Sequence, residues 1–162
     1  MDLCSRLYYA QGQGFMENLS INRKITPGKF YRLRFSLARI SGITGLRLDP
    51  IDFPGIVVVG SILLYRELTQ MPIWNSDAFP RFHNLSLEGT AILLENLPQW
   101  KIFAYGPDPQ IVLPWKNEWK QYTDLALEVR LTTHVDLTDL LPLLRLSDNL
   151  EAAASPLPIE PR

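Results

Sequence analysis

The chain is short of the residues that catalytic and compartment signals require. One cysteine, Cys4, stands in 162 residues, so no internal disulfide can form and nothing points to an oxidising compartment. Its thiol, near the start of the chain, reads as buried or incidental rather than as a nucleophile. Only two histidines occur, His83 and His134, and neither has a histidine or glutamate at the helical spacing of a metal motif. An excess of one charge is lacking too. Sixteen basic and 17 acidic residues leave a net charge of −1, with no footprint for nucleic acid or an anionic membrane. No apolar run approaches the ~20 residues of a membrane-spanning helix. The opening, MDLCSRLYYAQGQG, has neither the basic start nor the apolar core of a secretory signal. A cytoplasmic chain is therefore expected, and the sequons at Asn18 and Asn84 read as chance matches.

What is present is alternation. At 46% hydrophobic and 20% charged residues, the chain has the composition of one globular domain with a real core. In residues 30–37, Tyr31, Leu33, Phe35 and Leu37 face one way and Arg32, Arg34 and Ser36 the other. Residues 125–131 repeat the pattern, with Glu128 and Arg130 outward. Residues 43–48 and 56–65 read as a strand pair joined by a turn carrying Asp49, Pro50, Asp52, Pro54 and Gly55. The second of these runs is β-branched and almost wholly apolar, as in a strand covered on both faces. Shorter runs lie at 6–10, 19–25, 85–94, 101–105 and 110–113, separated by glycine- and proline-rich breaks, with a long polar loop at 69–80. Residues 115–122 read as loop or a helical turn.

About eight short strands predict an all-β fold, a single antiparallel β-sandwich of the jelly-roll type over residues 1–150. Leu137, Leu140, Leu141 and Leu144 have helical spacing, interrupted by Pro142, so the C-terminal segment is expected to be short and irregular or helical. Residues 151–162 are expected to be a disordered tail.

No catalytic constellation is visible, and an enzyme is not expected. Acid–base work needs paired titratable groups in a cleft, and the sequence brings none together. Asp49, Asp52 and Glu17 are carboxylates beside loops, the ligand type of Ca²⁺, although the spacing lacks the dense pattern of a calcium loop. Asp49 is expected to accept N–H groups of its own turn or to pair with Arg47. Trp74, Trp100, Trp115 and Trp119 lie in or beside loops, where an indole can stack on a sugar or close the end of a core.

Three pieces in order carry a family resemblance: GQGFMEN, YRLRFSL and ITGLRLDPIDFPGIVVVGSILL. The positions are Gly12, Gly14, Phe15 and Glu17, then Phe35 and Leu37, then Leu46, Arg47, Asp49 and Pro50, then residues 56–64. GPDPQIVLP, residues 106–114, adds a fourth piece. Together they resemble galactose-binding-like jelly-roll modules associated with bacterial glycosyltransferases. The resemblance implies a non-catalytic carbohydrate-binding or accessory module, without cofactor, beside glycan-building enzymes. In a carbohydrate-binding module, the loop aromatics Trp74, Trp115 and Trp119 would stack on the sugar and Arg47, Asp49 or Glu17 would bond its hydroxyls. The alternative is a protein-interaction sandwich using the same aromatics and a sheet edge.

Removing residues 151–162 should leave stability within ~0.5 kcal/mol, because a proline-rich polar end buries little. Chemical denaturation of the truncated chain checks this, and a loss above ~1 kcal/mol would mean that the tail packs.

Overall fold

The computed structural model describes residues 1–78, 82–96 and 98–136. The helical reading of Leu137 to Leu144 and the tail from residue 151 lie outside the described residues. Nine strands follow the alternating runs: β1 (Leu3–Ala10), β2 (Ser20–Ile25), β3 (Phe30–Ser36), β4 (Gly45–Asp49), β5 (Gly55–Arg66), β6 (Pro72–Asn75), β7 (Ser86–Glu95), β8 (Trp100–Val112) and β9 (Leu125–His134). Every pairing is antiparallel, so the all-β antiparallel expectation holds. The strands form one sheet in the order β2-β1-β4-β8-β5-β9-β3, with β6 on β5 and β7 on β8.

The sheet curls until its end strands β2 and β3, joined through Pro27 and Gly28 (φ 75°), face each other. Arg23 spans the seam. Its Nε donates to the Arg34 carbonyl at 3.0 Å and its guanidinium lies 5.5 Å from the Phe35 ring centre. Inside are Leu7, Phe35, Leu46, Leu48, Val57, Val59, Ile102, Ile111 and Leu127, all fully buried. Curling thus lets the two halves of one sheet bury their apolar faces against each other.

Two strands turn the corners. β5 changes register against β9 at Gly60, pairing with β8 before it and with β6 after it. β8 pairs with β5 through Trp100 to Ala104 and with β4 through Ile111 and Val112. The break expected at residues 106–109 is instead the bent middle of this strand. Pro107 and Pro109 lie between its two pairings, where the β5/β4 side offers no ladder partner to lose.

Other expectations are corrected. β4 and β5 are not neighbours, because β8 lies between them. Pro50 and Pro54 stiffen a five-residue connection, Pro50 to Pro54, that carries the chain past that position instead of folding it back. The polar stretch 69–80 contains β6, whose Trp74 pairs in register with Leu64. Residues 115–122 contain a short 3-10 turn, Asn117–Gln121. Tyr31 is half-buried, and Glu128 is buried (8% exposed) because it sits beneath Arg32 and Arg130 on the outer face. No helix among the described residues is long and apolar enough to cross a membrane.

The corner in β8 depends on the absence of a side chain at Gly106, where a Cβ would lie 2.8 Å from Thr90 Cγ2 and 2.9 Å from Thr90 Cβ. Gly106→Ala should therefore cost about 1–3 kcal/mol, the usual penalty of overpacking. Urea denaturation checks it. A change under ~0.5 kcal/mol would show that β8 is not held against β7 at this point.

Candidate functional site

The outer face carries two polar constellations, one closed and one open. The closed one gathers three of the residues singled out from sequence. Register places Arg6 opposite Asp49 and Tyr8 opposite Arg47 on β1 and β4. Arg47 holds Asp49 through both arms, Nε to Oδ1 at 2.9 Å and Nη2 to Oδ2 at 3.0 Å. Its guanidinium lies between Tyr8 (4.1 Å) and Phe15 (5.5 Å). Gly12 (φ 84°), whose N–H donates to Thr44 Oγ1 at 2.8 Å, turns the glycine loop back over this face. Glu17 then accepts from Arg6 Nη1 at 2.9 Å and from the Tyr8 hydroxyl at 3.0 Å.

Arg47, Asp49 and Glu17 thus meet, but each is occupied by another. Asp49 does not accept N–H groups of its own turn; the pairing with Arg47 takes both its oxygens. Asp52 instead ties the turn to β1 by accepting the Cys4 N–H at 2.8 Å. Among the described residues no three His, Cys, Asp or Glu side chains gather as a metal site, and neither Asp49 nor Asp52 belongs to one. Magnitudes rank the contacts. Breaking a buried pair such as Arg47–Asp49 costs about 3–5 kcal/mol. The Arg6–Glu17 pair has a Glu17 side chain 78% exposed, so it holds the loop only weakly.

The tryptophans serve the core. Trp119 and Trp100 are each 5% exposed and offer no ring face to a ligand. Trp100 stacks on Phe82 (5.3 Å, 3° between planes), and Trp119 meets Trp115 edge-on at 5.4 Å. Trp115 and Trp74 are half-buried against the same core. Burial of large indole surface explains the placement. The four are lids.

The open constellation lies on the outer face of β3, β9 and β5. A hollow of about 340 Å³ is lined by Arg32, Arg34, Leu63, Tyr65, Gln70 and Glu128. A second of about 250 Å³ shares Leu63 and Glu128 and runs on past Arg130 to Asn75 and Asp77. Glu128 is its centre: Arg32 Nε lies 2.8 Å, and Arg130 Nε 3.6 Å, from the same oxygen, Oε1. Among the described residues Oε2 accepts no hydrogen bond, and neither guanidinium donates one through its Nη groups. Arg34, by contrast, is paired with Glu67, which also accepts from Ser36 Oγ at 2.7 Å. Gln70 Nε2 donates to the Glu67 carbonyl at 2.7 Å, leaving its own carbonyl outward. Burial pushes the Tyr65 hydroxyl above its ordinary pKa, with Arg34 opposing, so the phenol stays protonated as a donor near neutral pH.

The outward positions of Arg32, Arg34 and Arg130 were visible in the alternation, but their meeting depends on β3 pairing with β9. That register aligns Arg32 with Arg130 and Arg34 with Glu128. No local signal specifies it. Compared with protein-family profiles, curated proteins and solved structures, the chain matches none.

In the closed cluster, burial pushes the Asp49 carboxyl up to about 6; Arg47 opposes the shift and Asp108 adds to it. An acid raised on folding binds an extra proton in the folded state, between its unfolded value near 3.8 and about 6. The cost of burying its charge is fully present above that window and is relieved as pH falls through it. Relative to Asp49→Asn, which cannot titrate, the wild-type melting midpoint should therefore rise between pH 7 and pH 4.5. A parallel pH dependence of the two proteins would show that Asp49 keeps an ordinary carboxylate pKa.

Proposed function

We propose that the protein is a non-catalytic carbohydrate-binding accessory module, working beside glycan-building enzymes, with the trough on β3, β9 and β5 as its binding face. The observation that carries this reading is the set of unengaged polar groups along the trough: the Arg32 and Arg130 Nη groups, Glu128 Oε2, the Gln70 carbonyl and the Tyr65 hydroxyl. Sugars present alternating donors and acceptors at short intervals, and planar side chains with two parallel groups bind such pairs well. The apolar edge of Leu63 gives the floor a strip for a sugar's C–H face. The non-catalytic part rests on the strongly shifted acid, Asp49, being locked in the closed cluster by Arg47, away from this lining. A trough open to solvent also lacks the water exclusion on which acid–base chemistry draws.

A second reading has its own observation. β7 pairs only with β8. Its other edge is open among the described residues, and Ile92 (48% exposed) and Leu93 (43%) stand beside it. An open apolar edge invites another strand, which favours a protein-interaction module without a sugar ligand.

A glycan-array screen followed by titration of the hits separates the two. Saturable glycan binding that weakens about tenfold in Gln70→Ala, with the melting midpoint unchanged, is the expected result; one lost hydrogen bond of ~1.4 kcal/mol corresponds to that factor. A screen without hits, together with self-association or partner capture that Ile92→Lys abolishes, would replace the carbohydrate reading with the second.

A further inference from the structure

Arg32 and Arg130 stand directly opposite each other on neighbouring antiparallel strands. Like charges in that position repel, with Cα atoms only about 4.5–5.5 Å apart, and an anion between them offsets that repulsion. Glu128, 8% exposed, supplies one negative charge to the two guanidiniums. Its Oε1 is within hydrogen-bond distance of Arg32 alone; the 3.6 Å to Arg130 is too long. Arg34 and Asp77 are the other charged groups along the two hollows. Arg34 is closed by Glu67, and Asp77, at the far end of the second hollow, has a partner of its own. Two arginine side chains, 64% and 50% exposed, therefore share a single carboxylate that sits close to Nε of Arg32 and further from Nε of Arg130. Guanidinium forks held this way match the two oxygens of a carboxylate.

We infer that the saccharide taken by the trough is acidic, with a sugar-ring carboxylate seated between Arg32 and Arg130 and neighbouring hydroxyls bonded by Glu128 Oε2, Gln70 and Tyr65. The inference rests on the carbohydrate reading above and adds the ligand's charge and the two residues that select it. An acidic peptide would meet the same arginines. It would, however, set its further carboxylates against Glu128 and Glu67, whose oxygens are acceptors suited to hydroxyl donors.

The test is calorimetric titration of the full chain with oligogalacturonate, with a neutral galacto-oligosaccharide of equal length, and with poly-L-glutamate. The double variant Arg32→Lys/Arg130→Lys keeps the charge over Glu128 and removes the planar forks. Arg32→Gln/Arg130→Gln removes both, with the melting midpoint as a check that the sheet persists. Oligogalacturonate should bind at least tenfold tighter than the neutral oligomer, and both double variants should lose most of that preference. Equal binding of the two sugars, or a preference that survives the lysine variant, would overturn the acidic ligand while leaving a carbohydrate module. Poly-L-glutamate binding as tightly as oligogalacturonate would assign the arginines to an acidic peptide. No binding of any sugar would overturn both readings together.

Discussion

The bend in β8 is the constraint on which the sheet depends. β2, β1 and β4 lie on one side of it and β5, β9 and β3 on the other, and among the described residues the strand ladder between them runs through this strand. Trp100 to Ala104 fasten to β5, and Ile111 and Val112 to β4. Between these anchors the strand must change direction, and its residues suit that task. Gly106 leaves room for the Thr90 side chain of β7, and two prolines remove N–H donors where no ladder partner stands on the β5/β4 side. β5 answers with its own register change at Gly60. Two bent strands convert a flat sheet with a solvent-exposed apolar face into one that encloses a core. The open trough exists because that curvature sets β3, β9 and β5 side by side.

Outside the core, one device recurs where strands enter and leave the sheet. Arg47 binds Asp49 and covers Tyr8 at 4.1 Å; Arg66 binds Asp124 at 2.9 Å and covers Tyr122 at 4.7 Å. In each case a nearly buried aspartate orients a guanidinium and an aromatic ring shields it from water. Such a unit satisfies its own charge. Its value lies in fixing geometry, since a buried ion pair often adds little net stability but is costly to break. The Asp124 carboxylate also accepts the Leu68 N–H at 3.3 Å, which anchors the chain between β5 and β6. In both units the aspartate is engaged by its arginine. The Glu128 site differs on that one point, because a single carboxylate serves two arginines.

Fold class and the site were legible in the sequence to different degrees, for physical reasons. Period-two alternation is local, so Leu33, Phe35, Leu46 and Leu48 were placed inward and Arg32 and Arg34 outward from their spacing alone. Pairing is not local. Residues 43–48 and 56–65 looked like neighbours because they are consecutive, yet a strand 34 residues further on, counted from Arg66 to Trp100, separates them. GPDP looked like a terminator because glycine and proline usually are, and only an unpaired side of β8 makes them tolerable. The tryptophans were ambiguous for a related reason. Loop position in sequence says nothing about depth, and burial of a large ring settled Trp100 and Trp119 as core. Arg47 and Asp49 share a face by simple alternation, so their pairing could be foreseen. Glu128 could not be read as buried, because its cover comes from β3, some ninety residues earlier in the chain.

The proposed binding face, built on strand centres, would have an energetic consequence. Association costs about 0.5–1.5 kcal/mol for each long side chain that must be immobilised, and loops add their own ordering. Here the groups to be presented sit on β3, β9 and β5, whose backbones are fixed by pairing on both sides of β9. Arginine is among the side chains that lose most on ordering, and Arg32 already lies within 2.8 Å of the Glu128 carboxylate. Part of the entropic cost of binding is thereby met when the sheet folds. On the acidic-ligand proposal, the remaining repulsion between Arg32 and Arg130 would be relieved further by the ligand's anion. A site of this kind gains selectivity from a penalty carried in its empty state, since a neutral ligand of the same shape leaves that penalty in place.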